Sequence, residues 1–449
     1  MWSPMSFGHS SGEESHNDIH CDSWMKTVFA LVDCNNFYAS CEKLFRPDLR
    51  DTPVIVLSNN DGCVVARSRE AKALGIKMGV PVHHIRSEIR LHGIQLFSSN
   101  YTLYGDLSRR VMTTLEALAP RVDVYSIDEA FLDLTGVERV VSLESFGRQV
   151  KDTVVQDTGL PVCVGIAPTR TLAKLANYAA KKYRATEGVV DLTDIDRQRR
   201  LMALVPVEEV WGVGRKLSTK LQGMGITNAL ELADADPSTL RKQFSVVLER
   251  TIRELNGIGC IPWEDVPQPK KQIMCSRSFG SPLKALSDLE EAVAQFATRA
   301  TEKLRKGGQY AGALMVFFRT NSFRTDLPQY SNSASVKLIT STQDSRAIVQ
   351  QVLSLLRPMY RNGYDYAKAG VMLSDLVNAA AIQEDLFASP SLGQDDRAAR
   401  LMSVLDEINR KSRIKVRSAR QAGPAAYAMR REHLSPAYTT AWSELPTVR

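Results

Sequence analysis

Apolar positions along the chain recur with two periods. A period of two runs from Val122 to Leu134. Val122 and Val124 share one face of a first short run, and Ala130, Leu132 and Leu134 share one face of a second. The pattern predicts a hairpin with Asp128 and Glu129 in or beside its turn. Upstream, Val28-Phe29-Ala30-Leu31-Val32 is apolar throughout and predicts a buried strand with Asp33 at its C-terminal end, and Ala39 to Leu44 reads as helix.

Strands are also predicted at Thr52–Leu57 and Cys63–Ala66, around the turn Ser58-Asn59-Asn60-Asp61-Gly62, with a helix from Arg67 to Gly75. The period becomes helical at Leu103, Leu107, Val111, Leu115 and Leu118, and again over Phe146–Val155. Leu160–Ile166 is a strand, and Thr171–Lys182 a helix that sets Lys174 and Lys181 on one face. Strand, helix, two strands and a further strand–helix unit predict a ferredoxin-like layer.

From Val205 the chain turns to short helical runs. Gly212-Val213-Gly214 lacks the third glycine and the preceding strand of a dinucleotide loop, which leaves a helix-hairpin-helix or a plain interhelical turn. A Pro- and Gly-rich linker spans 257–271. A second βαββαβ rhythm follows: Ile273–Phe279, Asp288–Lys306, Ala313–Arg319, Ser333–Ile339, Ser345–Arg361 and Ala369–Leu376. The predicted class is therefore α+β and multidomain.

Composition narrows the reading only a little. The 449 residues suffice for roughly two to four domains, and 44% hydrophobic with 24% charged residues is ordinary for a globular protein. A net charge of +7 favours a polyanionic partner without requiring one. Seven scattered cysteines with no Cys-x-x-Cys pair argue against a zinc ribbon or a disulfide framework and for a reducing cytoplasm. No apolar run reaches the length of a membrane span. Residues 1–26, rich in Ser, His and acids, predict a disordered leader.

Adjacent like charges such as Asp128 and Glu129 are costly unless a cation takes up their charge. With Asp33 at a nearby strand end they suit two Mg²⁺ ions about 3.5–4 Å apart, the arrangement of nucleotidyl transfer. A polar turn and a helix cap are the plainer alternative. Arg67, Arg69 and Lys72 gather at a strand–helix junction, either as phosphate contacts or as a solvated face. Asn409 to Arg431 carries eight basic residues and no acid, the composition of a tail for nucleic acid or an acidic partner.

Val32-Asp33-Cys34-Asn35-Asn36-Phe37-Tyr38-Ala39-Ser40-Cys41-Glu42 and Tyr125-Ser126-Ile127-Asp128-Glu129-Ala130-Phe131-Leu132-Asp133 resemble the two signature motifs of Y-family translesion DNA polymerases. From about Phe29 onward the chain is similar to the UmuC branch of that family. The resemblance implies a right-hand polymerase: palm (27–50 and 105–199), fingers (51–104), helix-hairpin-helix thumb (200–256) and βαββαβ little finger (272–378). It implies that Asp33, Asp128 and Glu129 bind two Mg²⁺ with the Cys34 carbonyl. Tyr38 matches the steric gate against ribose, with Phe37 packed inward beside it. Lys72 and Lys181 match triphosphate contacts, and Arg69 matches a position held by a phosphate-binding Tyr in other branches. Lys174 reads as support for Lys181, and Asp133 as structural.

Gly212, Gly214, Arg277 and Arg319 are the implied DNA contacts, with Arg324 and Lys337 available on the same domain. Gln383, Leu386 and Phe387 match a sliding-clamp-binding segment within a C-terminal region (379–449). Primer–template DNA, deoxynucleoside triphosphates, a processed UmuD-like dimer, the RecA filament and the clamp are the implied partners, in a cytoplasmic, nucleoid-associated enzyme. A nucleotidyl cyclase shares such acids but leaves the Gly-Val-Gly hairpin, the clamp-like segment and the basic tail unexplained. A DNA-bound scaffold without catalysis is opposed by the complete acidic triad.

Overall fold

The computed structural model of the chain describes residues 27–263, 269–378, 392–411, 416–417 and 427–445. The leader and the segment containing Gln383, Leu386 and Phe387 lie outside the described residues.

The elements run β1 (Phe29–Cys34), α1 (Phe37–Leu44), β2 (Val54–Leu57), β3 (Val64–Arg67), α2 (Arg69–Ala73), α3 (Arg86–Leu91), β4 (Gln95–Ser98) and α4 (Tyr101–Leu118). The acidic hairpin, β5 (Arg121–Val124) and β6 (Glu129–Asp133), leads to α5 (Leu143–Thr158), β7 (Val162–Ala167), α6 (Arg170–Lys182) and β8 (Val189–Asp191). Five helices follow: α7 (Ile195–Leu204), α8 (Arg215–Gly223), α9 (Ala229–Asp234), α10 (Pro237–Gln243) and α11 (Val246–Leu255). The last part holds β9 (Ile273–Leu283), α12 (Leu286–Lys306), β10 (Gln309–Thr320), β11 (Ser331–Thr342), α13 (Ser345–Met359), β12 (Tyr366–Asn378) and α14 (Leu392–Lys411). The chain divides into two compact units, one of the segment ending at Asn35 with Ser108–Trp263, the other of Asn36–Leu107 with the segment after Trp263.

In the first unit the sheet order is β5-β6-β1-β7-β8. The four strands β1, β5, β6 and β7 form the ferredoxin-like arrangement, and β8 extends it in parallel beside β7. Strands β1 and β7 are buried on both faces, which is why they read as unbroken apolar runs. Helix α6 lies directly on this sheet because Gly165 has no side chain: a Cβ there would stand 2.2 Å from the Asn177 nitrogen and 2.5 Å from the Ala173 carbonyl oxygen. Asn177 then donates to the Leu31 and Cys163 carbonyls at 3.1 and 2.8 Å, tying helix to strands. The helix N-terminus is capped by Thr169, and the Glu254 carboxylate of α11 accepts from Thr171 N at 2.9 Å, where the helix dipole favours an acid.

In the second unit a three-stranded sheet, β3-β2-β4, stands apart from a four-stranded one ordered β11-β10-β12-β9. The predicted helix over Arg67–Gly75 is shorter: Arg67 closes β3, and the Ser68 hydroxyl caps α2 by accepting from Ala71 N. The stretch after β12 holds more order than a basic tail. Helix α14 docks through Asp406, whose carboxylate takes Arg305 Nε and Nη2 at 2.7 Å each. Its signal was the helical spacing of Leu401, Val404 and Ile408. Farther on, Tyr427 is buried against Phe296, and residues 428–430 cross Gly280, where a Cβ would come within 2.5 Å of the Ala428 oxygen.

Among the described residues no helix is long and apolar enough to cross a membrane, and the six described cysteines are free.

Gly165→Ala should force α6 away from the sheet and destabilise the fold by about 1–3 kcal/mol or more. Denaturant unfolding of wild type and variant checks this, with no loss expected for Gly259→Ala, where a Cβ meets open space outside any helix.

Candidate active site

The register of the central sheet sets Asp33 of β1 directly opposite Glu129 of β6. Cross-strand partners bring their Cβ atoms to about 4.5–5.5 Å, so two acids from distant parts of the chain face each other. The turn that precedes Glu129 is held by Ser126: its hydroxyl donates to Asp128 Oδ1 at 2.7 Å and accepts from Glu129 N at 3.1 Å. The Asp128 carbonyl accepts from Cys34 N at 2.9 Å, which fastens the turn to the end of β1.

Two lysines of α6 reach these acids. Lys174 Nζ lies 3.0 Å from both Glu129 oxygens, and Lys181 pairs with Asp33 Oδ2. Burial pushes the Asp33 carboxyl up to about 7; Lys181 pulls it down, and the neighbouring Glu129 pushes it up. Burial likewise drives the Cys34 thiol far above its ordinary range, so this side chain stays a thiol. The donor set is hard oxygen throughout, the preference of Mg²⁺. Among the described residues no three His, Cys, Asp or Glu side chains converge as a ready metal cluster. Asp33 and Glu129 are brought together, while Asp128 Oδ1 is held by Ser126.

Lys174 proves more central than its sequence position suggested. Besides Glu129 it has the rings of Tyr125, Trp211 and Phe131 at 4.4, 5.2 and 6.0 Å. Arg170, one turn earlier and almost wholly buried, pairs with Asp123 at 2.7 Å and lies over Phe131. Lys174 was legible from its helical phase with Lys181; the aromatic cage was not, because Trp211 lies far away in sequence. Asp133 pairs with Arg121 and accepts from Thr135 N.

Trp211 begins the Gly-Val-Gly hairpin. Gly212 has φ +89°, a conformation glycine adopts without strain, and Gly214 is the N-cap of α8 with no side-chain cap. Both glycines are exposed around buried Val213. A single 3₁₀ turn precedes them in place of the expected first helix.

In the second unit, Phe37 is buried at the start of α1 and Tyr38 beside it is half-buried. Arg69 and Lys72 are both exposed on α2, whereas Arg67 is turned to the Ile76 carbonyl at 2.6 Å. Of the two arginines assigned to DNA, Arg319 is exposed on the open face of the four-stranded sheet. Its register partner is Lys368, and Lys337 projects on that face opposite Ala313. Arg277 is different: it is paired with Ala369 on the helix-covered face and is half-buried. The alternation of β9 dictates this, since Arg277 is in phase with Ile273, Cys275 and Phe279. Arg324 is held by Asp326 at 2.6 Å.

Residues 32–178 match the impB/mucB/samB family, residues 270–386 its C-terminal domain, and residues 399–448 a domain of unknown function, DUF4113. Protein UmuC of Salmonella typhimurium is 51% identical over 94% of this chain and 100% of its own length. Protein SamB of Salmonella typhimurium is 50% identical over 94% of this chain and 100% of its own length. DNA polymerase IV of Moorella thermoacetica is 29% identical over 84% of this chain and 92% of its own. Among solved structures, a Y-family DNA polymerase chimera of Dbh and Dpo4 shares the fold, with a TM-score of 0.61 and 20% identity, covering 78% of this chain and 99% of that one. An acidic hairpin facing the end of a buried strand, on a ferredoxin-like sheet, is thus found in a chain that belongs to the UmuC branch of the Y-family DNA polymerases, metal-dependent nucleotidyltransferases that carry out translesion synthesis.

Proposed function

We propose that this polymerase joins deoxynucleotides opposite damaged template bases, as part of the SOS response, with Asp33, Asp128, Glu129 and the Cys34 carbonyl holding two Mg²⁺. The observation that carries the reading is the opposition of Asp33 and Glu129 across β1 and β6, each on its own lysine of α6. Bound there, the ions would supply Lewis-acid charge at the primer 3′-hydroxyl and at the triphosphate.

The chain's own residues do the positioning. Lys181 is the more exposed of the two lysines, which suits it to the triphosphate. Lys174, gripped by both Glu129 oxygens and ringed by aromatics, orients that carboxylate. Raising Asp33 toward neutrality by burial makes its ionised form costly unless a cation is near, and this couples proton loss to metal binding. In the second unit, Tyr38 acts on the sugar, Phe37 backs it, and Lys72 with Arg69 contacts phosphate. The exposed amides at Gly212 and Gly214 suit a DNA phosphate. Arg319, Lys368 and Lys337 form the basic face for primer–template, which Arg277 does not share.

The enzyme would work on the nucleoid with a processed UmuD-like dimer and the RecA filament. Gln383, Leu386 and Phe387 would tether it to the sliding clamp. The cyclase and scaffold alternatives lose their ground, the first to likeness along 94% of the chain to UmuC, the second to the paired acids.

Primer extension past an abasic site should fall at least about a hundredfold in Asp128→Ala, the scale of a lost electrostatic contact to the reacting group; an unchanged rate removes the site. Tyr38→Ala should raise ribonucleotide insertion relative to deoxynucleotide insertion by about tenfold or more, since a steric contact is lost. Leu386→Ala with Phe387→Ala should weaken capture by the clamp by at least about tenfold, as removal of buried anchors does, and equal capture would dismiss that segment.

A further inference from the structure

Helix α1 carries Tyr38 and, one turn later, Glu42. Glu42 is wholly buried, and its Oε1 accepts from Tyr104 Oη at 2.6 Å and from Ser435 Oγ at 3.1 Å. Tyr104, equally buried, lies flat on the Tyr38 ring, with centroids 4.4 Å apart and planes 16° apart. Tyr101 stands edge-on to both. An unbroken line of contacts therefore runs from Ser435 to the ring of Tyr38.

Ser435 is itself tightly held. Asn100, just before α4, donates to the Ser435 hydroxyl and carbonyl at 3.0 and 3.2 Å while accepting from Leu103 N. On one side, His433 and Ser98 exchange hydrogen bonds, extending the edge of β4. On the other, Tyr438 stacks on Phe45 with centroids 4.6 Å apart. The segment lies within residues 399–448, which match the DUF4113 family model.

We propose that this C-terminal segment is a positioning element for sugar selection: Ser435 fixes Glu42, Glu42 fixes the Tyr104 ring, and Tyr104 fixes the plane of Tyr38. The inference rests on the polymerase reading with Tyr38 as the gate. Stacked rings slide over one another at little cost, so a stack alone does not hold a gate to the tolerance a selective site requires. The Tyr104 hydroxyl adds a directional restraint on the ring that Tyr38 stacks against, and it is only as firm as the acid it bonds. Among the described residues Glu42 Oε2 is buried with no hydrogen-bond partner, so within them Oε1 and its two donors carry the polar anchoring of that side chain. Burial holds the Glu42 carboxyl up at about 7, with the Tyr104 and Ser435 hydrogen bonds pulling the other way, as expected of an acid that depends on each donor.

The test is single-nucleotide insertion by the full chain with its UmuD-like partner, comparing kcat/KM for deoxynucleotide and ribonucleotide. Ser435→Ala and Tyr104→Phe should each lower the sugar selectivity by about threefold to tenfold, the span of one lost hydrogen bond. Deoxynucleotide insertion should hold nearly constant, and Ser435→Thr should restore the ratio. In a Tyr38→Ala background Ser435→Ala should change nothing further, because the ring it positions is gone. A brace that merely stabilises the fold would lower insertion of both sugars alike, and that result overturns the proposal. So does an unchanged ratio in both variants. If Tyr38→Ala shifts the ratio and the other two do not, only the role of the segment fails. If wild type inserts neither sugar, the polymerase reading fails and takes the proposal with it.

Discussion

The structure depends on two acids facing each other across a pair of antiparallel strands. Asp33 and Glu129 are register partners in a sheet whose central strand is buried on both faces, a costly place for like charges. The fold tolerates them because α6 lies close enough for Lys174 and Lys181 to reach in. That closeness is set by a missing side chain at Gly165 and a bridging amide at Asn177. Backbone packing on one side of the sheet thereby determines the electrostatics at its end.

Much of this was legible in the chain itself. Period-two runs beside Asp128 and Glu129 announced the hairpin, an apolar run announced β1, and helical spacing put Lys174 and Lys181 on one face. These features are local, and a local pattern carries them. Which strand lies beside which is not local: no periodicity says that β1 sits between β6 and β7, and the grouping of the acids rested on the chemistry of paired carboxylates and on the resemblance of the two motifs. Arg277 shows the opposite case, since its phase with Ile273, Cys275 and Phe279 already pointed it toward the helices.

The C-terminal region was the least legible. Its basic composition pointed to partners, yet the described part packs on its own chain. Beyond α14 and Tyr427 the terminal segment is held by individual hydrogen bonds and one stacked ring pair, to Asn60, Asp61, Ser98, Asn100 and Phe45. Irregular backbone held by side chains from several elements leaves no periodic trace, and composition then reports only the solvent-facing half.

Asn60 has a consequence for anyone who would treat the parts as interchangeable blocks. It sits at positive φ in the turn after β2, and its amide donates to the Ser278 and Phe279 carbonyls while its oxygen accepts from Arg430 N. One small side chain thus joins three stretches with different addresses in the gene. A graft that exchanged the β9–β12 sheet for a relative's, keeping the native turn and terminus, would have to return the two carbonyls at 278 and 279 to the reach of Asn60. The transplantable piece is the sheet, the turn at Asn60 and the terminal segment, moved as a set.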